Sequence, residues 1–353
     1  MDSALTQAWP TPTHPKPIVA IGAGAIARTA HLPTYRRLGF AVAGVFDIDG
    51  DVARATADSF DIPRVFATIE EACAADAVVF DLAIPGDQIL GILERLPTGS
   101  AVLIQKPMGR DLAEARAIRR CAHQRRLVAA VNFQLRFSPG MLALHDLLER
   151  GALGPLVDID VRIVIDQPWH LWMFMERAPR LEIVYHSIHY LDAIRWIAGE
   201  PHGAYCRAVA HPAMPRLRDT RSSIILDYGD QLRCSLVLNH THRAGPRHRA
   251  SQLMVEGTRG AARLTWGVNL SYPSGPPDTM ELALDGADWT EVPLRGSWFV
   301  EAFEGPMSNL QRFIAGEDTV LMGSIDDAIK TMAVTEACYA SSDSGGTPIP
   351  DWR

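Results

Sequence analysis

Residues 18–27 have the sequence IVAIGAGAIA, in which four apolar residues lead directly into the pattern Gly-x-Gly-x-x-Ala. A short uninterrupted apolar run is typical of a strand buried on both faces of a sheet. Gly22 permits a tight turn after that strand, Gly24 lets the backbone approach a ligand closely, and the small Ala27 allows close packing of the following helix. The stretch therefore predicts a strand, a phosphate-binding turn and the start of a helix.

An acidic residue follows this turn at the spacing of a dinucleotide-binding site. A second apolar run ends in Asp47, about 20 residues beyond the glycines, where a carboxylate binds the ribose hydroxyls of NAD and repels a 2'-phosphate. Arg54 lies one turn further on and could approach such a phosphate, so NAD is favoured over NADP without excluding it. We expect a pyrophosphate at the helix N-terminus. The predicted cofactor contacts here are Gly22, Gly24, Ala25, Ile26 and Asp47.

Apolar runs and helix-like stretches alternate through the first part of the chain. The further predicted strands are residues 41–46, 77–82, 101–104 and 127–133, and the clearest helices between them are 52–60 and 112–123. Such alternation indicates parallel strands joined by helical crossovers. The first half is therefore predicted to be a Rossmann-type doubly wound α/β domain.

The pattern changes beyond Pro139 to long alternating runs that favour antiparallel strands. The predicted strands are residues 156–165, 222–227, 231–239, 252–256 and 261–266, and the predicted helices are 141–150 and 180–197. We expect an α+β domain with a large open, mainly antiparallel sheet. The predicted division is a flexible leader at 1–16, a dinucleotide-binding domain at 17–139 and a substrate-binding and oligomerisation domain at 140–353.

Composition excludes several classes of protein. A chain of 353 residues usually folds as more than one domain, and its net charge of -7 offers no basic excess for nucleic acid. The five cysteines have neither zinc-site spacing nor the density of a secreted disulfide scaffold, which favours the cytoplasm. No apolar stretch reaches the length of a spanning helix. We therefore expect no nucleic-acid or membrane partner.

Five short segments occur in an order typical of one oxidoreductase family. They are residues 22–27 (GAGAIA), 83–85 (AIP), 105–107 (QKP), 134–139 (QLRFSP) and 189–192 (HYLD). Together they resemble the Gfo/Idh/MocA family, named for glucose-fructose oxidoreductase, inositol dehydrogenase and MocA. The resemblance implies an NAD-dependent dehydrogenase of a sugar, sugar acid or cyclitol, assembled as a homodimer or homotetramer through the open sheet.

Lys106 follows a predicted parallel strand, at the edge of the sheet where such proteins bind ligands. The resemblance implies that Lys106 contacts the hydroxyl to be oxidised, where its ammonium would stabilise a developing alkoxide. The family commonly has glutamate where this chain has Gln105. Gln105, Lys106 and Pro85 are also predicted to border the cofactor.

His189, Asp192 and Tyr185 form a predicted stripe on one face of the long helix. The segment matches the family's His-x-x-Asp pattern, although the family commonly has aspartate at position 185. We predict that His189 is the general base and that Tyr185 is its hydrogen-bonding or proton-relaying neighbour. His189, Asp192 and Tyr185 are also expected to contact substrate.

Further substrate contacts are expected at Gln134 and Arg136, and at the aromatic residues Trp169, His170 and Trp172. The aromatic residues would stack on a sugar ring or, equally well, pack in a subunit interface.

The spacing of Glu182, His186 and His189 is compatible with a metal site. Hydride transfer to nicotinamide needs no metal, however, and the family is generally metal-free. We therefore expect none, and we expect His186 to be a packed residue. Two other functions stay open: a glycoside hydrolase that uses tightly held NAD for transient oxidation, and a non-catalytic NAD or sugar sensor.

Overall fold

The computed structural model describes residues 4–171 and 173–350. The chain divides into two units, one formed by the residues up to Ala143 together with Arg295–Met332, the other by Leu144–Leu294 together with the residues from Ala333 onward. Within the described residues, no helix is long and apolar enough to cross a membrane.

A parallel sheet forms the centre of the first unit. Its strands are β1 (Ile18–Ile21), β2 (Val42–Phe46), β3 (Val79–Leu82), β4 (Ala101–Gln105) and β5 (Val128–Asn132). Over the described residues their order is β2-β1-β3-β4-β5, and all neighbours are parallel. The direction of winding reverses between β1 and β3, and open α/β sheets bind ligands at such a switch point. The predicted doubly wound sheet is confirmed.

The helices that connect these strands begin at local sequence signals. They are α1 (Leu32–Leu38), α2 (Gly50–Phe60), α3 (Ile69–Cys73), α4 (Ile89–Leu93) and α5 (Leu112–Gln124). The Asp49 side chain accepts the first amides of α2, and Asp111 accepts the amide of Glu114 in α5. Such capping satisfies donors that have no partner inside the helix. A π-helical turn, Ala27–His31, precedes α1.

Two segments that are distant in sequence pack with this sheet. Helix α8 (Glu304–Ile314) places Met307 and Leu310 in the same hydrophobic core as Ile18. Near the start of the chain, the Trp9 indole N–H donates to Asp318 at 2.9 Å. Residues 4–16, which the sequence predicts to be a flexible leader, and residues 295–332 both belong to the first unit. Apolar periodicity shows that a helix face is buried but does not say against which sheet.

A larger sheet dominates the second unit. Its strands are β6 (Leu156–Val164), β7 (Gly203–Val209), β8 (Arg221–Asp227), β9 (Arg233–Asn239), β10 (Ala250–Gly257), β11 (Gly260–Thr265), β12 (Thr279–Leu284) and β13 (Thr290–Val292). In the described part of the chain they form one eight-stranded sheet of order β13-β12-β11-β10-β6-β9-β8-β7, antiparallel except where β6 pairs with β9. The predicted mainly antiparallel sheet is confirmed.

One face of that sheet is open. Along β8, Ile224 and Leu226 are buried whereas Ile225 is 52% exposed, as the two-residue period of a strand requires. Tyr205 and Val237 are also exposed on neighbouring strands. The remaining helices are α6 (Pro139–Glu149), α7 (Ile188–Ala198) and α9 (Ile325–Ser344), and a π-helical turn, Ile183–Ser187, precedes α7.

Candidate active site

Gly22 closes a turn in which only glycine fits. Its φ is +98°, and a Cβ at this position would lie 2.4 Å from the carbonyl oxygen of Ala83. Ala83 directly follows β3, so the turn after β1 contacts the exit of its neighbour at the switch point. The backbone N–H of Gly22 also donates to the carbonyl of Phe46 at 2.8 Å. The ends of β1, β2 and β3 are therefore joined at one edge of the sheet.

Gly24 leaves open space above the start of the following helix. No heavy atom lies within 4 Å of the position that a Cβ would occupy, and Gly24 and Ala25 are exposed. Ile26 is half-buried. The helix begins at Ala25, where amide groups and the positive end of the helix dipole attract an anion. These residues fit the pyrophosphate of a dinucleotide.

Asp47 is joined to the glycine-rich turn. Its Oδ2 accepts the backbone N–H of Ala23 at 2.7 Å, and its Oδ1 accepts that of Asp49 at 2.9 Å. Each carboxylate oxygen keeps a lone pair for a ribose hydroxyl. Arg54 is exposed and pairs with Asp51. Ile48 is 97% exposed directly after Asp47, an apolar surface that sequence reasoning had not considered.

Lys106 lies just beyond the carboxyl end of β4, and Pro85 is exposed beyond the end of β3. The Lys106 side chain is half-buried, and burial lowers its pKa from 10.5 to about 8. About a tenth of the side chain is therefore the neutral amine at pH 7, compared with well under a hundredth for an ordinary lysine. Gln105 is buried, and its Oε1 accepts the backbone N–H of Lys106 at 2.9 Å.

The turn after β5 carries Gln134 and Arg136, which are both 4% exposed. The Gln134 Oε1 is buried and makes no hydrogen bond to any described residue. A buried oxygen in this state is costly unless a ligand or water donates to it. Arg136 instead forms an ion pair with Asp327 at 2.7 Å.

In the second unit, Tyr185 lies in the π-helical turn and is half-buried against a small apolar cluster that includes Leu181. His189 is 7% exposed in the first turn of α7. Asp192 is fully buried, with its Oδ1 3.8 Å from Nη1 of Arg195. Asp192 therefore has a charged partner on its own helix.

The structure describes two of the three aromatic residues predicted to contact substrate, Trp169 and His170. Trp169 is buried, its indole N–H donates to the carbonyl of His240 at 3.1 Å, and its ring meets that of His186 edge-on. His170 is exposed. Trp172 lies outside the described residues.

Sequence reasoning missed the buried polar partners of Glu182, the residue that precedes the π-helical turn. Glu182 is fully buried; its carboxylate accepts the hydroxyls of Ser187 and Ser222, and its Oε1 lies 3.3 Å from Nδ1 of His240. Burial raises the pKa of Glu182 from 4.5 to about 7, and burial lowers that of His240 to about 3. The signal was present in the sequence, because Glu182 interrupts the apolar run 181–184. Its partners were not recognisable.

His186 is packed against another histidine. Its ring stacks on that of His240 with 5.0 Å between centroids. Over the residues that the structure describes, no group of three or more His, Cys, Asp or Glu side chains is arranged to hold a metal ion.

Comparison with known proteins identifies both parts of the chain. Residues 16–133 match the model of an oxidoreductase family with an NAD-binding Rossmann fold, and residues 141–263 match that of the GFO/IDH/MocA C-terminal domain. D-apiose dehydrogenase from Paraburkholderia graminis is 26% identical over 348 residues, which cover 93% of this chain and 88% of that protein.

Solved structures share the fold at lower identity. An oxidoreductase from Agrobacterium radiobacter in complex with NAD+, L-tartaric acid and magnesium has a TM-score of 0.80 at 20% identity, covering 94% of this chain and 98% of that one. Levoglucosan dehydrogenase in complex with NADH and levoglucosan has a TM-score of 0.79 at 16% identity, with the same coverage. Matched in both its Rossmann and its C-terminal part, the chain belongs to the Gfo/Idh/MocA family of oxidoreductases.

Proposed function

We propose that this protein is an NAD-dependent dehydrogenase that oxidises a secondary hydroxyl of a sugar, sugar acid or cyclitol, or reduces the corresponding ketone. The observation that carries the proposal is Lys106, a lysine with a pKa of about 8 at the sheet edge where the glycine-rich turn also lies. Related proteins named for D-apiose and levoglucosan support a carbohydrate substrate.

The residues of the first unit bind and orient the dinucleotide in this proposal. The open space at Gly24 and the helix that begins at Ala25 receive the pyrophosphate, and Asp47 accepts the ribose hydroxyls. The negative charge of Asp47 also disfavours a 2'-phosphate. Arg54 pairs with Asp51, so its charge is less available to a 2'-phosphate, and this too favours NAD over NADP. Bound nicotinamide supplies the hydride acceptor for oxidation and the donor for reduction.

Side chains of the protein accept the proton that the substrate hydroxyl loses during oxidation. Lys106 interacts with the reacting oxygen: in its neutral form it takes the proton of the hydroxyl and relays it toward the general base, and its ammonium form stabilises the developing alkoxide. We assign His189 as general base, with Tyr185 as its neighbour, because a neutral imidazole suits that role near pH 7.

Substrate contacts are proposed for three groups of residues. Gln134 offers a buried carbonyl oxygen that still needs a donor, which a sugar hydroxyl supplies. Arg136 and Asp192 already have charged partners and would act by shaping the site. His170 is exposed and available, whereas Trp169 is packed inside its own unit.

The open face of the larger sheet is the proposed surface for association of identical chains. The exposed Tyr205, Ile225 and Val237 form an apolar face, and burial of such a face between copies of the chain would stabilise a homodimer or homotetramer.

The test is the absorbance of reduced nicotinamide while the protein, with NAD and separately with NADP, is offered a panel of sugars, sugar acids and inositols. We expect turnover with NAD that is lost in Lys106→Ala and retained in Lys16→Ala, since Lys16 is exposed. His189→Asn should lower the rate and change its pH profile. Retained NAD with release of a sugar from a glycoside would instead indicate a hydrolase, and NAD binding without any turnover would indicate a sensor.

A further inference from the structure

A cluster of polar side chains is buried inside the parallel-sheet unit. We call it the His31 cluster; its members are His31, Tyr35, Asp81, Gln105 and Asn132. Nδ1 of His31 lies 2.8 Å from Oδ2 of Asp81, and the hydroxyl of Tyr35 donates to the same oxygen at 2.9 Å. His31 and Asp81 are each 1% exposed. The cluster is thus shielded from bulk water and depends on its internal hydrogen bonds.

The contacts of His31 determine its tautomer. Asp81 can only accept in this pair, so Nδ1 of His31 carries the hydrogen. On the other side of the ring, Nε2 lies 3.3 Å from the amide nitrogen of Gln105 and 3.3 Å from that of Asn132. The amide nitrogen of Gln105 is a donor whose orientation is set by a second contact, so Nε2 presents a lone pair to it. The imidazole is therefore neutral.

The orientation of Gln105 is determined independently. Its Oε1 accepts the backbone N–H of Lys106 at 2.9 Å, and a flipped amide would place two donors against each other. The amide group must therefore point toward His31. A continuous chain of hydrogen bonds runs from Asp81 through His31 and Gln105 to the backbone of Lys106.

We propose that Gln105 is a positioning residue for Lys106, held in place by the neutral imidazole of His31. The role of Lys106 in turnover rests on the proposed function, but the hydrogen-bonded chain does not. A glutamate at position 105 would accept from Lys106 and would favour a proton on Nε2 of His31. It would also place a negative charge beside Lys106. The amide holds the same backbone group without that charge.

The groups that face His31 support this assignment. Asp81 comes from β3, Gln105 from β4 and Asn132 from β5, while Tyr35 lies in α1, directly after the π-helical turn that ends at His31. The ring of Phe303 is 5.4 Å away and carries no charge. Burial raises the pKa of Tyr35 well above 10, so its hydroxyl stays a donor. Among these neighbours in the described chain, Asp81 is the only one with a carboxyl group.

The first experiment needs neither a ligand nor a variant of Gln105. Protein labelled with ¹⁵N at histidine is examined by long-range nitrogen–proton NMR at pH 7, with His31 assigned by the signal that disappears in His31→Gln. We expect Nδ1 to carry the hydrogen and Nε2 to have the shift of an unprotonated nitrogen. An imidazolium, or the opposite tautomer, would overturn the proposal.

The second experiment tests the effect on Lys106. The chain has three lysines, Lys16, Lys106 and Lys330, so ¹³Cε labelling gives three signals to follow against pH. In Gln105→Glu we expect the titration of Lys106 to move upward by about one pH unit and His31 to become protonated. The exposed Gln124→Glu serves as the matched control and should change neither.

The pH profile of kcat/KM and the NMR titrations together distinguish a failure of this proposal from a failure of the proposed function. If a substrate is found, the inflection that Lys106 contributes to kcat/KM should move to higher pH in Gln105→Glu. If no substrate turns over, the NMR titrations still support or refute the His31 cluster in the ligand-free protein. An unchanged Lys106 titration in Gln105→Glu, with the variant folded, would refute the positioning role.

Discussion

Replacement of Glu182 by glutamine should stabilise the protein at pH 8 and leave its stability at pH 4 nearly unchanged. The carboxyl is fully buried, and the hydroxyls of Ser187 and Ser222 donate to it. Asp219 adds a like charge nearby, which also disfavours ionisation. Glutamine has the shape of the protonated carboxyl and cannot ionise, so the variant keeps the packing and loses only the buried charge.

The magnitude follows from the pKa of Glu182. Burial raises it from 4.5 to about 7, so the folded protein binds a proton that the unfolded chain has already lost between these values. Stability therefore falls as pH rises through this window and stays lower above it. The full cost to the wild type at pH 8 is about 3 kcal/mol, which corresponds to roughly 6–12 °C in Tm for a domain of this size.

The assay is the Tm of Glu182→Gln minus that of the wild type, measured from pH 4 to pH 8. Burial lowers the pKa of His240 to about 3, and Nδ1 of His240 lies 3.3 Å from Oε1 of Glu182, so the two groups are coupled. The same difference is therefore also measured in a His240→Asn background, which removes the contribution of His240. Glu256→Gln, at an exposed position on β10, is the control and should give a flat difference near zero. A flat difference for Glu182→Gln as well, or a loss of stability at pH 8, would refute the reasoning.

Four further predictions concern the first unit. Gly22→Ala should cost about 1–3 kcal/mol in denaturant unfolding, because its φ is +98° and its Cβ would lie 2.4 Å from the Ala83 oxygen. Gly24→Ala should change the free energy of unfolding by no more than about 0.5 kcal/mol, yet it should weaken the affinity for NAD measured by calorimetry. An equal loss of stability in Gly22→Ala and Gly24→Ala would contradict this. Asp47→Ser should raise the affinity for NADP relative to NAD by about tenfold, and an unchanged ratio would exclude its role. For oxidation, kcat/KM should rise through about pH 8 as Lys106 loses its proton, and an identical inflection in Lys106→Arg would assign it to another group.

The strands and the cofactor turn were predictable because their signals are local. The apolar run at 18–21 gives β1 with the same bounds, and Leu112 begins α5 as the sequence predicts. At Gly22, the positive φ and the close approach to Ala83 explain why the pattern requires glycine. Strand position and turn chemistry depend on neighbours in sequence, so a single chain contains enough information to predict them.

Long-range partners were not predictable. Asp81 interrupts a buried apolar strand and must therefore have hydrogen-bond donors, but those donors come from His31 and Tyr35 on another element. The sequence likewise gives no reason to place α8 against the parallel sheet. A charge in an apolar run shows that a partner exists, whereas only the fold shows which residue it is.

The π-helical turn at Ile183–Ser187 explains why helical periodicity did not predict the partner of Glu182. A second such turn, Ala27–His31, leads into α1 in the same way that Ile183–Ser187 leads into α7. In a π-helix, residues five positions apart are brought together, and Leu32 N–H accordingly donates to the carbonyl of Ala27. Glu182 and Ser187 are also five apart and bond to each other. In a regular α-helix, Glu182 would lie next to His186, four residues on, in the spacing of metal ligands. In the π-helical turn the carboxylate of Glu182 instead accepts a hydrogen bond from the hydroxyl of Ser187. The wider turn thus provides the partner that a buried carboxyl requires.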